Sequence, residues 1–218
     1  MLKLITAGPS PYARKVAIAL LEKGIAFEPV DDLPWAEAVE TRRYSPLEQL
    51  PILVPPGEPP VFDSSLILQW LELRYPRPPL LPVDVDARIA ALRLQTFGER
   101  LMEIAQALIF ETHRPSPSDA VIDRLTRKIE HGLRAVDAEL VEAPGPDQSV
   151  TLGHIALGTT LAVWEFVVAD GMCQPMEALR WRGSHQRLTK FMTQLEERPT
   201  FIQTAPRSMN VDITAEVA

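Results

Sequence analysis

The stretch LKLITAGPSPYARKVAIALLEKG, residues 2–24, carries the first decision about the fold. Its opening, LKLITA, is a short apolar run of the kind that forms a strand. Pro11 suits the first position of a helix, where a missing N–H would have had no partner anyway. Residues 11–23 place Val16, Leu20 and Leu21 on one side, which predicts a helix packed back on the strand. Ser10 is then the N-cap, its oxygen accepting from a backbone N–H one turn in. A hydroxyl that accepts still has a proton to donate. This one stands at the positive end of a helix, where an anion is stabilised. Taken alone, Ser10 is a cap, and any further role needs support from neighbouring stretches.

Working outward, AFEPV (26–30) reads as a second strand. PILVPP (51–56) and PVFD (60–63) read as two more, joined by a glycine-containing turn. SSLILQWLELRYP (64–76) is a helix with Leu66, Ile67, Trp70 and Leu71 at core spacing, stopped by Pro76. A strand–helix–strand unit requires a parallel pair, and the later strands offer a hairpin, so the expected sheet is mixed and four-stranded. YPRPPLLPVD (75–84) is a stiff, proline-rich linker. After it strand signals vanish. Helical periodicity runs over 86–112, over 118–141 with Ile122, Leu125, Ile129, Leu133, Val136 and Leu140, and over about 152–168. A further helix, SHQRLTKFMTQLEER, ends at Pro199. The expected organisation is a sheet domain at 1–76, a linker at 77–85, a helical domain at 86–206 and a tail at 207–218.

The chain has 218 residues and a formal charge of −7, which argues against a nucleic-acid partner, whose footprint would be basic. The N-terminus has too short an apolar run for a signal peptide. The most apolar later stretch is interrupted by Glu165 and falls short of a membrane span. One cysteine, Cys173, rules out an intramolecular disulfide framework, and a reducing cytoplasm is the expected home. His113, His131, His154 and His185 lack zinc-motif spacing, so no metal is expected.

Two more stretches bear on chemistry. In QLPILV a proline opens a strand directly after a polar loop. A cis Leu50–Pro51 bond would present the Leu50 backbone to an extended peptide. In FDSSLILQWL, Asp63 and Ser64 stand at a helix start, reading either as a cap or as an acid and a hydroxyl beside free N–H groups, suited to an amino-acid head group. SPYARKV, QLPILV and FDSS in this order, a proline linker, an all-helical half and a closing ERPTFIQTAP together resemble the glutathione S-transferase family, in its bacterial-type form with Ser at the thiol-activating position. The resemblance covers nearly the whole chain.

That resemblance implies a thioredoxin-like N-terminal domain that binds glutathione and a helical bundle that supplies the second-substrate pocket. Ser10 stands at the catalytic position. Leu50 and Pro51 would meet the cysteinyl unit, Asp63 and Ser64 the γ-glutamyl group, and Gln49, less directly Arg14, the glycyl end. Tyr12, inside the first helical turn, ranks as pocket wall. Phe110, His113, Arg114 and Trp164 would line the second pocket. Glutathione is the implied co-substrate, a hydrophobic electrophile the implied partner molecule, and a homodimer the implied assembly. Ser in place of Cys at position 10 disfavours disulfide exchange through a protein thiolate. Peroxide reduction, isomerisation and dehalogenation use the same glutathione thiolate. The competing expectation is a non-catalytic, partner-binding or stress-regulatory relative. One departure is His154 in TLGHIALG, where the family carries Asp; a neutral histidine is not expected to fill that half of a capping box.

Overall fold

The computed structural model describes residues 1–33, 40–140, 143–145, 147–169 and 177–209. Cys173 and the tail beyond 209 lie outside the described residues.

The first half contains β1 (Leu2–Thr6), α1 (Pro11–Glu22), β2 (Phe27–Asp31), α2 (Glu40–Tyr44), β3 (Ile52–Val54), β4 (Val61–Phe62) and α3 (Ser64–Arg74). The sheet order is β2-β1-β3-β4. β1 runs parallel to β2, with Leu2 opposite Phe27. It runs antiparallel to β3, with Ile5 opposite Ile52, and β3 pairs antiparallel with β4. The sheet is therefore mixed, as the strand–helix–strand pattern and the hairpin require. α2 is an addition. Its five residues are too few to leave a period in the sequence.

The helical half comprises α4 (Val85–Thr112), α5 (Asp119–Glu139), α6 (Leu152–Ala169), a 3₁₀ turn at Glu177–Leu179, α7 (Gln186–Glu196) and α8 (Pro199–Gln203). Pro199 both ends the preceding helix and opens α8 at its first position. α6 is the central core helix, with Ile155, Leu157, Leu161 and Trp164 fully buried. On α3 the periodicity identified apolar positions but not the face. Ile67 and Leu71 are buried, whereas Leu66 is 51% exposed.

Lys23, at the end of α1, anchors the linker. Its ammonium pairs with Glu72 at 2.6 Å and donates to the carbonyls of Tyr75 and Pro78, both at 2.8 Å. The Glu72 carboxylate in turn accepts the N–H groups of Leu80 and Leu81.

α4 and α6 approach so closely that each places a glycine at the contact. A Cβ on Gly98 would meet the backbone carbonyl carbon of Ala156 and the nitrogen of Leu157 at 2.6 Å, and one on Gly153 would meet the Ala91 oxygen at 2.5 Å. Backbone cannot step aside by changing rotamer. Gly98→Ala is therefore expected to cost about 1–3 kcal/mol by overpacking, outweighing the roughly 1 kcal/mol that alanine gains as a helix former. The check is a lower urea midpoint at unchanged slope. A raised midpoint would contradict the close approach.

The start of α6 corrects the expectation for His154. Thr151 Oγ1 accepts from the His154 N–H at 3.3 Å, and His154 Nδ1 accepts from the Thr151 N–H at 3.1 Å. The reciprocal box is complete because a neutral imidazole has one lone pair to offer. Burial, then the nearby Arg198 charge, pushes the His154 pKa down from 6.5 to about 4. An unfolded chain binds this proton below about pH 6.5, whereas the folded chain resists it until about pH 4. Stability therefore falls as the pH drops through that window, by on the order of 3 kcal/mol. Denaturant midpoints taken from pH 7 to pH 4 are expected to show this slope in the wild type and a shallower one in His154→Gln. Equal slopes would remove His154 as its source.

Candidate functional site

The sheet topology gathers the sequence-singled residues at one end. β1 finishes there and is followed by Ser10, β3 begins there just after Pro51, and β4, parallel in direction to β1, finishes there and is followed by Asp63 and Ser64. Two helix N-termini, those of α1 and α3, thus open at the same edge as the Leu50–Pro51 peptide.

Ser10 closes a turn by donating its N–H to the Ala7 carbonyl at 3.0 Å. Its backbone is extended, with φ −71° and ψ 114°, and its Oγ accepts from the Ala13 N–H at 3.2 Å. It is an N-cap, and no acceptor for its hydroxyl proton is placed among the described residues. The Leu50–Pro51 bond is cis. Pro51 is buried and Leu50 half-buried, while Gln49 is exposed. Asp63 caps α3, accepting from the Ser65 N–H at 2.7 Å. Its φ of 53° lies in the left-handed region, which a non-glycine residue seldom occupies and which concentrates at functional sites. Ser64 beside it is buried.

The helical half contributes a group that sequence reading did not find. Glu99 of α4 reaches the sheet domain, where its carboxylate pairs with the Lys15 ammonium and accepts from Ser65 Oγ at 2.9 Å. Gln95 adds a third donor at 3.0 Å. Burial alone would raise the Glu99 pKa, but the Lys15 charge and these hydrogen bonds outweigh it and hold the carboxyl below its usual range. The only sequence trace of this cluster is a lysine inside the apolar run of α1. Its partner lies 84 positions away.

Tyr12 lies under the Lys15 ammonium, 5.8 Å from nitrogen to ring centre. Burial, then the charges of Glu103 and Glu99, pushes its pKa upward, so it stays a phenol. Arg14 is committed to α8. It is buried, donates from Nη2 to the Phe201 carbonyl at 3.1 Å, and stacks on the Phe201 ring. Desolvation draws its pKa down to about 10.

The remaining residues sit apart from this edge. Phe110 is half-buried against the core. His113 caps α4 and its Nδ1 lies 2.7 Å from the Ile109 carbonyl, roughly 20 Å along the helix axis from Glu99. Arg114 is exposed and pairs with Glu111. Trp164 has no exposed surface, so it stands behind any pocket lining.

Known proteins match this arrangement. Residues 4–79 fit the family model of the glutathione S-transferase N-terminal domain. The crystal structure of a glutathione S-transferase from Methylobacterium radiotolerans, in complex with glutathione sulfonate, superposes with a TM-score of 0.85 at 38% identity, over 97% of each chain. A zeta class glutathione S-transferase of Euphorbia esula is 32% identical over 93% of this chain and 83% of its own. The uncharacterized GST-like protein YibF of Escherichia coli (strain K12) is 28% identical over 94% of this chain and 98% of its own. With a thioredoxin-like sheet domain, a helical remainder and these relatives along nearly its full length, the chain belongs to the glutathione S-transferase family.

Proposed function

We propose that the protein is a glutathione transferase in which Ser10 activates the thiol of bound glutathione. The observation that carries this reading is the Ser10 cap at the α1 N-terminus, whose oxygen accepts from the Ala13 N–H and whose hydroxyl proton has no acceptor placed among the described residues; on this reading that proton goes to the thiolate. Glutathione sulfonate in the Methylobacterium relative supports glutathione as the ligand class. On this reading the Leu50 backbone before Pro51 pairs with the cysteinyl unit, Asp63 and Ser64 hold the γ-glutamyl group, and Gln49 reaches the glycyl end. Ser65 and Lys15, both tied to Glu99, brace those contacts from behind. Arg14, committed to α8, is not in the reading.

The energies suffice. Lowering a thiol pKa of about 8.5 by about two takes roughly 2.7 kcal/mol. One hydrogen bond to a charged group supplies about 1.5–3 kcal/mol, and a helix N-terminus adds roughly 0.3–1 kcal/mol. No protein base is required. The thiol proton leaves to water, the sulfur forms a bond to an electrophilic carbon, and the leaving group departs with the electron pair of the bond that breaks. Attack on a peroxide oxygen is a second use of the same thiolate. The S–O bond forms as the O–O bond breaks, and the departing alkoxide or hydroxide takes a proton from water. A second glutathione thiol then converts the sulfenic acid to the disulfide with loss of water. Tyr12 forms the near wall of the second-substrate pocket, whereas Phe110, His113 and Arg114, further along α4, and the buried Trp164 are left out of it.

We also propose a cytoplasmic homodimer. Leu66, Leu73, Val85 and Ile89 are more than half exposed, and a groove of about 370 Å³ lies between Pro59, Phe62, Leu66 and Trp70. An apolar surface of this kind favours association. Sedimentation is expected to give twice the chain mass of 24.3 kDa, and a species of chain mass only would contradict it.

The test of the function is calorimetric titration with glutathione, followed by conjugation of a chromogenic aryl halide. Binding in the wild type that is weakened about tenfold or more in Asp63→Ala, with turnover in the wild type, is expected from loss of a charge-assisted contact. Absence of glutathione binding would favour the partner-binding alternative.

A further inference from the structure

The C-terminal segment crosses the loop that carries Ser10. The Arg207 N–H donates to the Gly8 carbonyl at 3.1 Å, and the Gly8 N–H donates to Met209 Sδ at 2.8 Å. Both polar groups of Gly8 are thus held by one segment. The approach is close enough that a Cβ on Gly8 would lie 2.7 Å from the Arg207 carbonyl oxygen. The Arg207 guanidinium extends the contact to the end of β2, reaching both Asp31 carboxylate oxygens at 3.2–3.3 Å. On the other side of Ser10, Arg14 is fixed to α8 through the Phe201 carbonyl and Thr204 Oγ1. Ser10 therefore lies between two anchors, and both belong to the last eleven described residues.

We propose that residues 205–209 form a strap that positions the Ser10 hydroxyl, with Arg207 and Met209 as positioning residues. The proposal rests on the reading of Ser10 as thiolate donor. The Ala7 carbonyl that accepts the Ser10 N–H is bonded directly to Gly8, so a shift of the Gly8 peptide moves the turn that sets the Ser10 side chain. Reacting groups held out of place by about 1 Å can lose on the order of 10²-fold in rate. The strap acts through Gly8 and touches no substrate.

Four variants of the full chain test this, each checked for a native thermal transition. Arg207→Pro removes the N–H that holds Gly8, while Arg207→Ala keeps it and removes only the ion pair. Met209→Leu keeps volume and removes the acceptor, while Met209→Gln restores one. The readout is the ultraviolet absorbance of the thiolate of saturating glutathione, followed against pH beside wild type and Ser10→Ala. The thiol pKa of bound glutathione is expected to rise by on the order of one pH unit in Arg207→Pro and Met209→Leu. It is expected to stay near the wild-type value in Arg207→Ala and Met209→Gln. Wild-type values in all four, with a raised value in Ser10→Ala, would overturn the strap and leave Ser10 standing. Equal values in wild type and Ser10→Ala would overturn the Ser10 reading, and the strap with it.

Discussion

Ser10→Ala is expected to lower kcat/KM for conjugation by about 10- to 150-fold, the equivalent of one hydrogen bond to a charged group. The fall should appear mainly at pH values below the thiol pKa of the variant, because alkaline solvent makes the thiolate unaided. Glutathione affinity should change much less, since the carboxylates and backbone of the peptide are held elsewhere. A second consequence separates the two roles of the side chain. Loss of the bond from the Ala13 N–H should cost about 1 kcal/mol of stability, and Ser10→Thr should recover both cap and rate. Steady-state kinetics across pH 6–9, with a denaturation curve for each variant, read both effects. An unchanged rate with lowered stability would leave Ser10 as a cap only.

Arg198→Ala is expected to be the most destabilising of the changes considered, by about 3–5 kcal/mol. The guanidinium makes two bonds of 2.9 Å to Glu22 of α1 and one of 2.8 Å to the Gly145 carbonyl, and it is 4% exposed. Glu22 also accepts from Thr200 Oγ1 at 2.6 Å. This pair joins the sheet domain to the α7–α8 corner. Truncating the arginine strands a carboxylate with little access to water, whereas replacing both partners by apolar residues, Arg198→Met with Glu22→Leu, should recover much of the loss. Arg198 also helps keep His154 neutral. Its removal should raise the histidine pKa and reduce the acid-dependent loss of stability described above. Urea midpoints at pH 7 and pH 5 test both statements, and a loss below about 1 kcal/mol at pH 7 would contradict a buried, closed pair.

Features set by neighbouring residues were legible in the sequence. Ser10 before Pro11 predicts a cap because both effects act within one helical turn, and the order of β1, α1, β2 and the hairpin follows from runs of a few residues. The residues of the proposed site were legible as element boundaries in the same local way: Ser10, Leu50–Pro51 and Asp63–Ser64 each stand where a strand or helix begins or ends, and the sheet topology brings them to one edge. What escaped depends on pairs far apart in the chain. Lys15 looks like a charge misplaced in an apolar helix until Glu99 is brought beside it. Arg14 could be assigned to the ligand only because Phe201 and Thr204 were not in view. His154 was judged by the charge it lacks, when the box needs only a lone pair. Leu66 shares its period with Ile67 and Leu71, and periodicity alone does not say which face turns inward. Gly8 gave no sign of the strap, since its partners stand about two hundred positions away.

The most direct measurement is the pH titration of thiolate absorbance in glutathione bound to the wild type and to Ser10→Ala. In the wild type the bound thiol is expected to have a pKa about two below the free value of about 8.5, with most of that depression lost in the variant while binding persists. A bound thiol that titrates at its free value in the wild type, or equally low in both proteins, would contradict Ser10 as the activating group.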